Sequence, residues 1–338
     1  MTTDTTTSPP DEPRPEGEVD LSYVIIGFNE GGNLAACIAS AREAAPPNAA
    51  FEVIYVDGGS SDDSLRIARE AGADKVLGGD KRRRAAENRN LGLSAARGRY
   101  VQFVDGDMVI DPAWPTTAKT FLDEHPDAAV VYGELVEANK TAAFRAMQMD
   151  WAPWFGEVAY CGGTAMARAE VLRDVGGFPE HVAAGEEPFM CWHIRNTRHM
   201  TIHHLQDKMA DHDLGFRGFR DYWQRSVKTG AAYIEVASHF WHTSDPLWRT
   251  DTLSILTWAA IMALAVLLLV VGPNNYVRGA VMLVILGVLV RKFLQFARRG
   301  HPAKACLIYA VHTYFSKIPL ALGVLSWLFR RALRCSPN

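Results

Sequence analysis

Asp105-Gly106-Asp107 sets two carboxylates one residue apart around a glycine, directly after the apolar run Tyr100–Val104. Hard divalent cations take oxygen ligands, and the glycine lets the backbone bend so that both acids can face one ion. A cation held there would neutralise a diphosphate and stabilise it as a leaving group. Taken alone, the triplet is more often an acidic surface turn; its place at the end of an apolar run raises the functional reading. A second carboxylate, Asp57, ends the run Phe51–Val56 and opens Asp57-Gly58-Gly59-Ser60-Ser61-Asp62. It can accept a hydrogen bond from a base N–H or order its own turn, a turn or cap role that suits Asp62 better. Phe28-Asn29-Glu30 closes the first apolar run and could flank a nucleoside, with Asn29 and Gly31 equally open to ordinary turn chemistry.

These residues need strand ends to hold them. Leu21–Phe28, Phe51–Val56, Lys75–Leu77, Tyr100–Val104 and Ala129–Val136 read as short apolar strands. Leu34–Ala45, a stretch capped by Ser61 or Asp62 and running through Ala71, and Ala85–Ala96 read as helices between them. Continuous apolar strands alternating with helices predict an α/β fold with a mostly parallel sheet covered on both faces. Ligands of such sheets bind beyond the carboxyl ends of the strands, where the polar residues above fall. A less regular zone, Glu137–Arg249, follows; it is rich in Trp, His and Gly and carries Gly162-Gly163, Gly176-Gly177-Phe178 and Glu186-Glu187.

Beyond Thr252 the chain changes character. Leu253–Gly272 has no charge and is about the 20 residues needed to cross a hydrocarbon core. Tyr276–Leu294 is a second candidate span, and Ala305–Phe329 a third, interrupted by Lys317 and Pro319. A buried core helix is the competing reading, strongest for the third. The basic cluster Arg291, Lys292, Arg298, Arg299 and Lys304 is expected to face the cytoplasm and to bring the N-terminal domain to the same side of a plasma membrane. The organisation expected is a tail over 1–20, a domain over 21–249 with halves 21–136 and 137–249, and a membrane region over 250–338. The tail, rich in Thr, Pro and acids, lacks the apolar core of a signal peptide and reads as disordered. Lys plus Arg number 35 against 38 Asp plus Glu, so bulk charge points to no nucleic-acid partner. Five scattered cysteines without paired spacing suggest reduced thiols rather than a disulfide framework or zinc site.

Four segments, Val24–Asn33 (VIIGFNEGGN), Val53–Ser64 (VIYVDGGSSDDS), Asn88–Gly98 (NRNLGLSAARG) and Tyr100–Asp107 (YVQFVDGD), resemble family 2 glycosyltransferases in order and spacing. Gly162–Phe178 (GGTAMARAEVLRDVGGF), followed by Glu186-Glu187, resembles that family's acceptor-side segment, so the likeness covers roughly residues 21–235. The resemblance implies a GT-A fold, an inverting mechanism, and a UDP- or GDP-sugar donor. It further implies that Phe28, Glu30 and Asp57 hold the nucleoside, that Arg84 approaches the diphosphate, and that Asp105 and Asp107 serve ribose, diphosphate and a Mg2+ or Mn2+ ion. Glu187, paired with Glu186, stands where the family places its base, although the second member of that pair is here Glu rather than Asp. His212 resembles a downstream histidine that completes the metal shell; His199, His203 and His204 lie close by in sequence. Processive members carry Gln-x-x-Arg-Trp, whereas this chain has Tyr222-Trp223-Gln224-Arg225-Ser226-Val227-Lys228, which implies one sugar per encounter. Trp151–Phe155 and Tyr222–Trp223 could bed on a membrane, stack on sugars, or simply pack. The expected acceptor is a membrane-held, lipid-linked saccharide; a polyprenyl-phosphate acceptor and a non-catalytic scaffold are the competing readings.

Overall fold

The computed structural model describes residues 19–137, 141–149, 154–212 and 218–334. The expected tail lies outside these apart from Val19 and Asp20, which are buried, Asp20 through a hydrogen bond to Ala50 O. Strands β1 (Leu21–Gly27), β2 (Phe51–Asp57) and β3 (Lys75–Gly78) alternate with helices α1 (Leu34–Glu43), α2 (Ser64–Glu70) and α3 (Ala85–Ala95), and β4 (Tyr100–Asp105) completes a parallel block ordered β3-β2-β1-β4. The strands of this block are apolar on both faces because helices cover both. One core layer joins α1 to Leu21, Tyr23 and Ile25; the other joins α3 to Val24, Ile54 and Val56.

Beyond β4 the sheet is mixed. The short β5 (Val109–Ile110), helix α4 (Trp114–Glu124), β6 (Ala128–Glu137), α5 (Ala142–Gln148), β7 (Gly156–Glu157), β8 (Ala165–Arg168), α6 (Ala169–Asp174), α7 (Glu186–His193) and β9 (Thr201–His212) follow in sequence. The sheet continues β4-β8-β6-β9-β5, with β8 antiparallel to both β4 and β6, and β6 parallel to β9. The antiparallel insertion was not foreseen, since β8 is only four residues long and reads as part of the Gly-rich segment before it. Cys161 and Cys191, 30 residues apart, meet inside this half with their sulfurs 3.6 Å apart.

Helix α8 (Phe219–Phe240) leads out of the sheet domain to α9 (Arg249–Val271), α10 (Asn275–Ala297), α11 (Ala303–Phe315) and α12 (Lys317–Arg334). Among the described residues three stretches are long and apolar enough to cross a membrane: α9, α10, and α11 with α12 taken together. The third is broken at Ser316, just before the Lys317 and Pro319 interruption expected from sequence, and a larger share of it is buried. Helix α11 packs on α5 and α10, whereas α12 lies along α8 and α9. At the α8–α12 crossing a Cβ on Gly230 would stand 2.0 Å from Leu320 O, and one on Gly323 2.0 Å from Val227 O. Only glycine permits backbones to approach this closely. The membrane region expected from residue 250 onward is thus packed against the domain that precedes it.

Candidate active site

Parallel register sets Asp57 opposite Gly27, and Ile26 opposite Asp105, so the carboxyl ends of β2, β1 and β4 present their polar residues in one row. The loops after β1 and β2 are then sewn together. Asn29, in the left-handed region at φ 59°, donates its N–H to Ser60 Oγ at 2.8 Å and accepts from Ser61 N at 2.8 Å. Asp62 accepts from Gly31 N at 3.0 Å and from Ser64 N at 3.0 Å, closing the first turn of α2 although Asp63 is the N-cap residue. Asp57 is fully buried, and both of its oxygens accept hydrogen bonds, from Tyr55 OH and from the N–H groups of Gly59 and Ser60. Its negative charge therefore fixes the loop that borders the row.

Phe28 stays 39% exposed, and the guanidinium of Arg82 lies 3.5 Å from its ring centroid while donating to Gly58 O at 2.9 Å. Arg84 stands two residues further on, at the N-cap of α3. Its side chain reaches Val182 O at 3.4 Å, and its backbone N–H is taken by Glu87. Within the basic stretch Lys81–Arg84, the side-chain contact to the strand-end loops is thus made by Arg82, and Arg83 N–H also donates to Gly58 O at 3.1 Å. An exposed aromatic two residues from a strand-end acid was the available signal for such a partner.

Glu30 faces the Asp-Gly-Asp turn: a Cβ on Gly106 would lie 3.2 Å from Glu30 Cγ. Burial, then the charges of Asp107 and Asp105, push the Glu30 carboxyl up to about 7. Three carboxyl groups crowd one corner, an arrangement that favours an added cation. Strand β5, directly after the turn, pairs with β9 in the register Val109 with Asp211. That pairing brings His212 to the turn, with Nε2 3.9 Å from Asp107 Oδ2. Among the described residues no three acidic, histidine or cysteine side chains are grouped to hold an ion unaided.

The residue that joins the two halves is Arg89, on α3. Its side chain is 4% exposed; Nη2 lies 3.1 Å from Asp105 Oδ1, and Nη1 lies 2.8 Å from Glu186 Oε1 and 2.9 Å from Glu187 Oε1. Glu186 and Glu187 open α7, where the helix dipole favours negative charge, and their side chains are only 11% and 14% exposed. They are therefore not a solvated surface pair. Burial pushes the Glu187 carboxyl up to about 7, with Arg89 opposing the shift and Glu186 adding to it. Burial pulls the Arg89 pKa down, but the charges of Glu187, Asp105 and Glu186 outweigh it and raise the guanidinium above its usual value. Gly163 makes room for this cluster, since a Cβ there would stand 2.3 Å from Arg89 Nη2. Asn90 clamps the approach to α7 by donating to Phe178 O and accepting from Phe178 N, each at 2.8 Å. Sequence reasoning quoted Asn88-Arg89-Asn90 without giving Arg89 a role. Arg89 lies between Asn88 and Asn90 with Glu87 close by, so its local sequence reads as a polar helix face and gives no sign of the distant acids it meets.

Expected residues thus gather in two groups: Phe28, Glu30, Asp57, Asp105, Asp107 and His212 around the strand ends, and Glu186 and Glu187 across Arg89 from Asp105. Arg84 stands apart. In Trp151–Phe155, residues 151–153 fall outside the described residues; Trp154 is 69% exposed. Tyr222 and Trp223 lie on α8, with Phe219 ring contacts.

Residues 22–176 match the family described as Glycosyl transferase family 2. The chain is 25% identical over 268 residues to Glycosyltransferase AglE of Haloferax volcanii, covering 74% of this chain and 80% of that protein. It is 28% identical over 210 residues to the Pre-mycofactocin glycosyltransferase of Mycobacterium tuberculosis, covering 56% of this chain and 42% of that protein. The fold resembles Mannosyltransferase PcManGT from Pyrobaculum calidifontis, solved with GDP-Man and Mn2+, with TM-score 0.61, 16% identity, and coverage of 96% of this chain and 92% of that one. At that identity the likeness speaks for the GT-A fold alone. The family match takes in the strand-end row and Arg89 and stops short of Glu186, Glu187 and His212. Residues 22–176 match a family 2 glycosyltransferase domain, and the chain that carries them is a glycosyltransferase.

Proposed function

We propose that this enzyme transfers one sugar, with inversion, from a UDP- or GDP-sugar to a hydroxyl of a membrane-held, lipid-linked saccharide. The observation that carries the reading is the buried Arg89 bridge, which sets the Asp105 turn against Glu186-Glu187 in one charged cluster. In this reading Phe28, Glu30 and Asp57 border the nucleoside, and Asp105, Asp107 and His212 hold a Mg2+ or Mn2+ ion. The ion, when bound, offsets the charge of the diphosphate and makes it a better leaving group. That PcManGT was solved with GDP-Man and Mn2+ supports this choice of donor and metal. Arg82 or Arg84 adds positive charge on the diphosphate side.

Glu187 is the base. The acceptor oxygen forms a bond to the anomeric carbon from the face opposite the diphosphate, its proton passes to a Glu187 carboxylate oxygen, and the bond to the diphosphate oxygen breaks with its electron pair. Glu186 and Arg89 hold Glu187 in place. Helices α9 and α10 anchor the domain in the plasma membrane. The basic cluster ending α10 supports a cytoplasmic position for the domain, because α9 leaves the domain and α10 returns to it.

The test is transfer from a panel of UDP-, GDP- and dTDP-sugars by the full chain in lipid with Mn2+ or Mg2+, beside Asp107→Ala and Glu187→Gln. One donor used, with both variants inactive in transfer, supports the reading. Transfer to a lipid phosphate that survives Glu187→Gln points to the polyprenyl-phosphate alternative. No donor turned over or bound with either metal points to the scaffold.

A further inference from the structure

Strands β6 and β9 run parallel and end in register at Glu137 and His212. Helix α5 follows the first and α8 the second. Between them and α11 opens an apolar groove of about 580 Å³, lined by Phe144 of α5, Phe219 and Tyr222 of α8, and Leu307, Val311 and Phe315 of α11. His212 and Gly218 are six residues apart, so this end of the groove lies within roughly 20 Å of the catalytic turn. A second apolar groove, about 530 Å³, runs between α9, α10 and α11 and shares Val311 and Phe315 with the first. The two grooves adjoin at Val311 and Phe315, one on the side of the sheet domain and the other among the long apolar helices. Phe219, Leu307 and Val311 stay 63%, 60% and 50% exposed in the first. Arg145 and Arg220, both exposed, neighbour the wall residues Phe144 and Phe219 in sequence.

We propose that these adjoining grooves seat the hydrocarbon chain of the lipid-linked acceptor, an inference that rests on the function proposed above. The groove that adjoins the long apolar helices supplies the entry, the aromatic wall supplies the contact, and the exposed Arg145 and Arg220, on the same two helices as that wall, supply cations for the anionic phosphate that links such a chain to its sugar. Burial of the chain holds the acceptor hydroxyl near Glu187 without requiring many contacts to the sugar itself.

The test uses the full chain in lipid nanodiscs, the radiolabelled donor, and a lipid extract of the native membrane as acceptor source. Leu307→Trp and Val311→Trp narrow the first groove. Both should raise the apparent KM for the extract at least tenfold and leave donor hydrolysis by water unchanged. Leu283→Trp, on a 71% exposed position of α10 away from both grooves, should leave transfer unchanged. A photo-reactive benzophenone residue in place of Leu307 should capture the labelled glycolipid on illumination, a readout that needs no narrowing variant to fold. Wild-type KM in both tryptophan variants, or no capture at Leu307, overturns the proposal and leaves the grooves to bulk phospholipid or a partner helix. If the wild-type enzyme labels water-soluble saccharide and no lipid, the lipid-linked reading itself fails and takes this inference with it.

Discussion

Arg89 is one cation among three carboxylates, and the balance at that residue sets what the site tolerates. Replacing it with Met leaves the buried Glu186 and Glu187 and the partly exposed Asp105 without their shared counter-charge. Loss of one partner of a buried ion pair costs about 3–5 kcal/mol, so Arg89→Met should lower the unfolding midpoint clearly. Transfer remaining in a folded fraction should shift its pH profile upward, because the group that holds the Glu187 carboxyl down is gone. Glu187→Gln keeps the shape of the cluster and removes the carboxylate proposed as the base. Transfer should fall about 10²- to 10⁴-fold, while metal-dependent nucleotide binding, measured by calorimetry, stays near wild type. A wild-type rate in that variant would remove Glu187 from the mechanism. The pH dependence follows from the same residue: a base works only when ionised, and the Glu187 carboxyl is pushed up to about 7. The transfer rate should therefore climb as pH rises through about 7 and level off above it; a rate already flat from about pH 6 upward would point to another base.

At the scale of elements, the crossing of α8 and α12 is fixed by two glycines with no space for a side chain. Gly230→Ala or Gly323→Ala should force the helices apart and destabilise the protein by about 1–3 kcal/mol, read as a drop in thermal midpoint, with donor binding at the distant strand ends retained below that midpoint. The strands and helices of the parallel block were legible from the sequence because each strand is a short apolar run stopped by glycines and acids. The strand-end acids were legible for the same reason. What the sequence hid was anything made by distant partners. The pairing of β5 with β9 that carries His212 to Asp107, the insertion of β8, and the meeting of Arg89 with Glu186 and Glu187 join positions far apart in the chain, and no local period encodes them. Asp57 shows the reverse case: its place was evident, and of its two readings the hydrogen bonds to its own loop are the one the structure shows.

For the whole molecule, the third apolar stretch matters more than its length suggests. Helix α11 joins Ala146 and Met149 of α5 to Phe296 of α10 in one small core, and α12 joins Ile234 of α8 to Ile255 of α9 in another. A chain severed after residue 249 would keep every proposed catalytic side chain. It would also lose the surface that covers Ile234, along with the backbone partners of Gly230. Such a fragment should come out aggregated or bound to detergent, in proportion to the bare strip of α8, although its sheet domain is intact. An equally short fragment that stays monomeric in plain buffer would show that α8 can do without its cover. The practical boundary of the soluble half is therefore not where the hydrophobic segments begin. The last helix in the sequence belongs, by packing, to the domain that comes first.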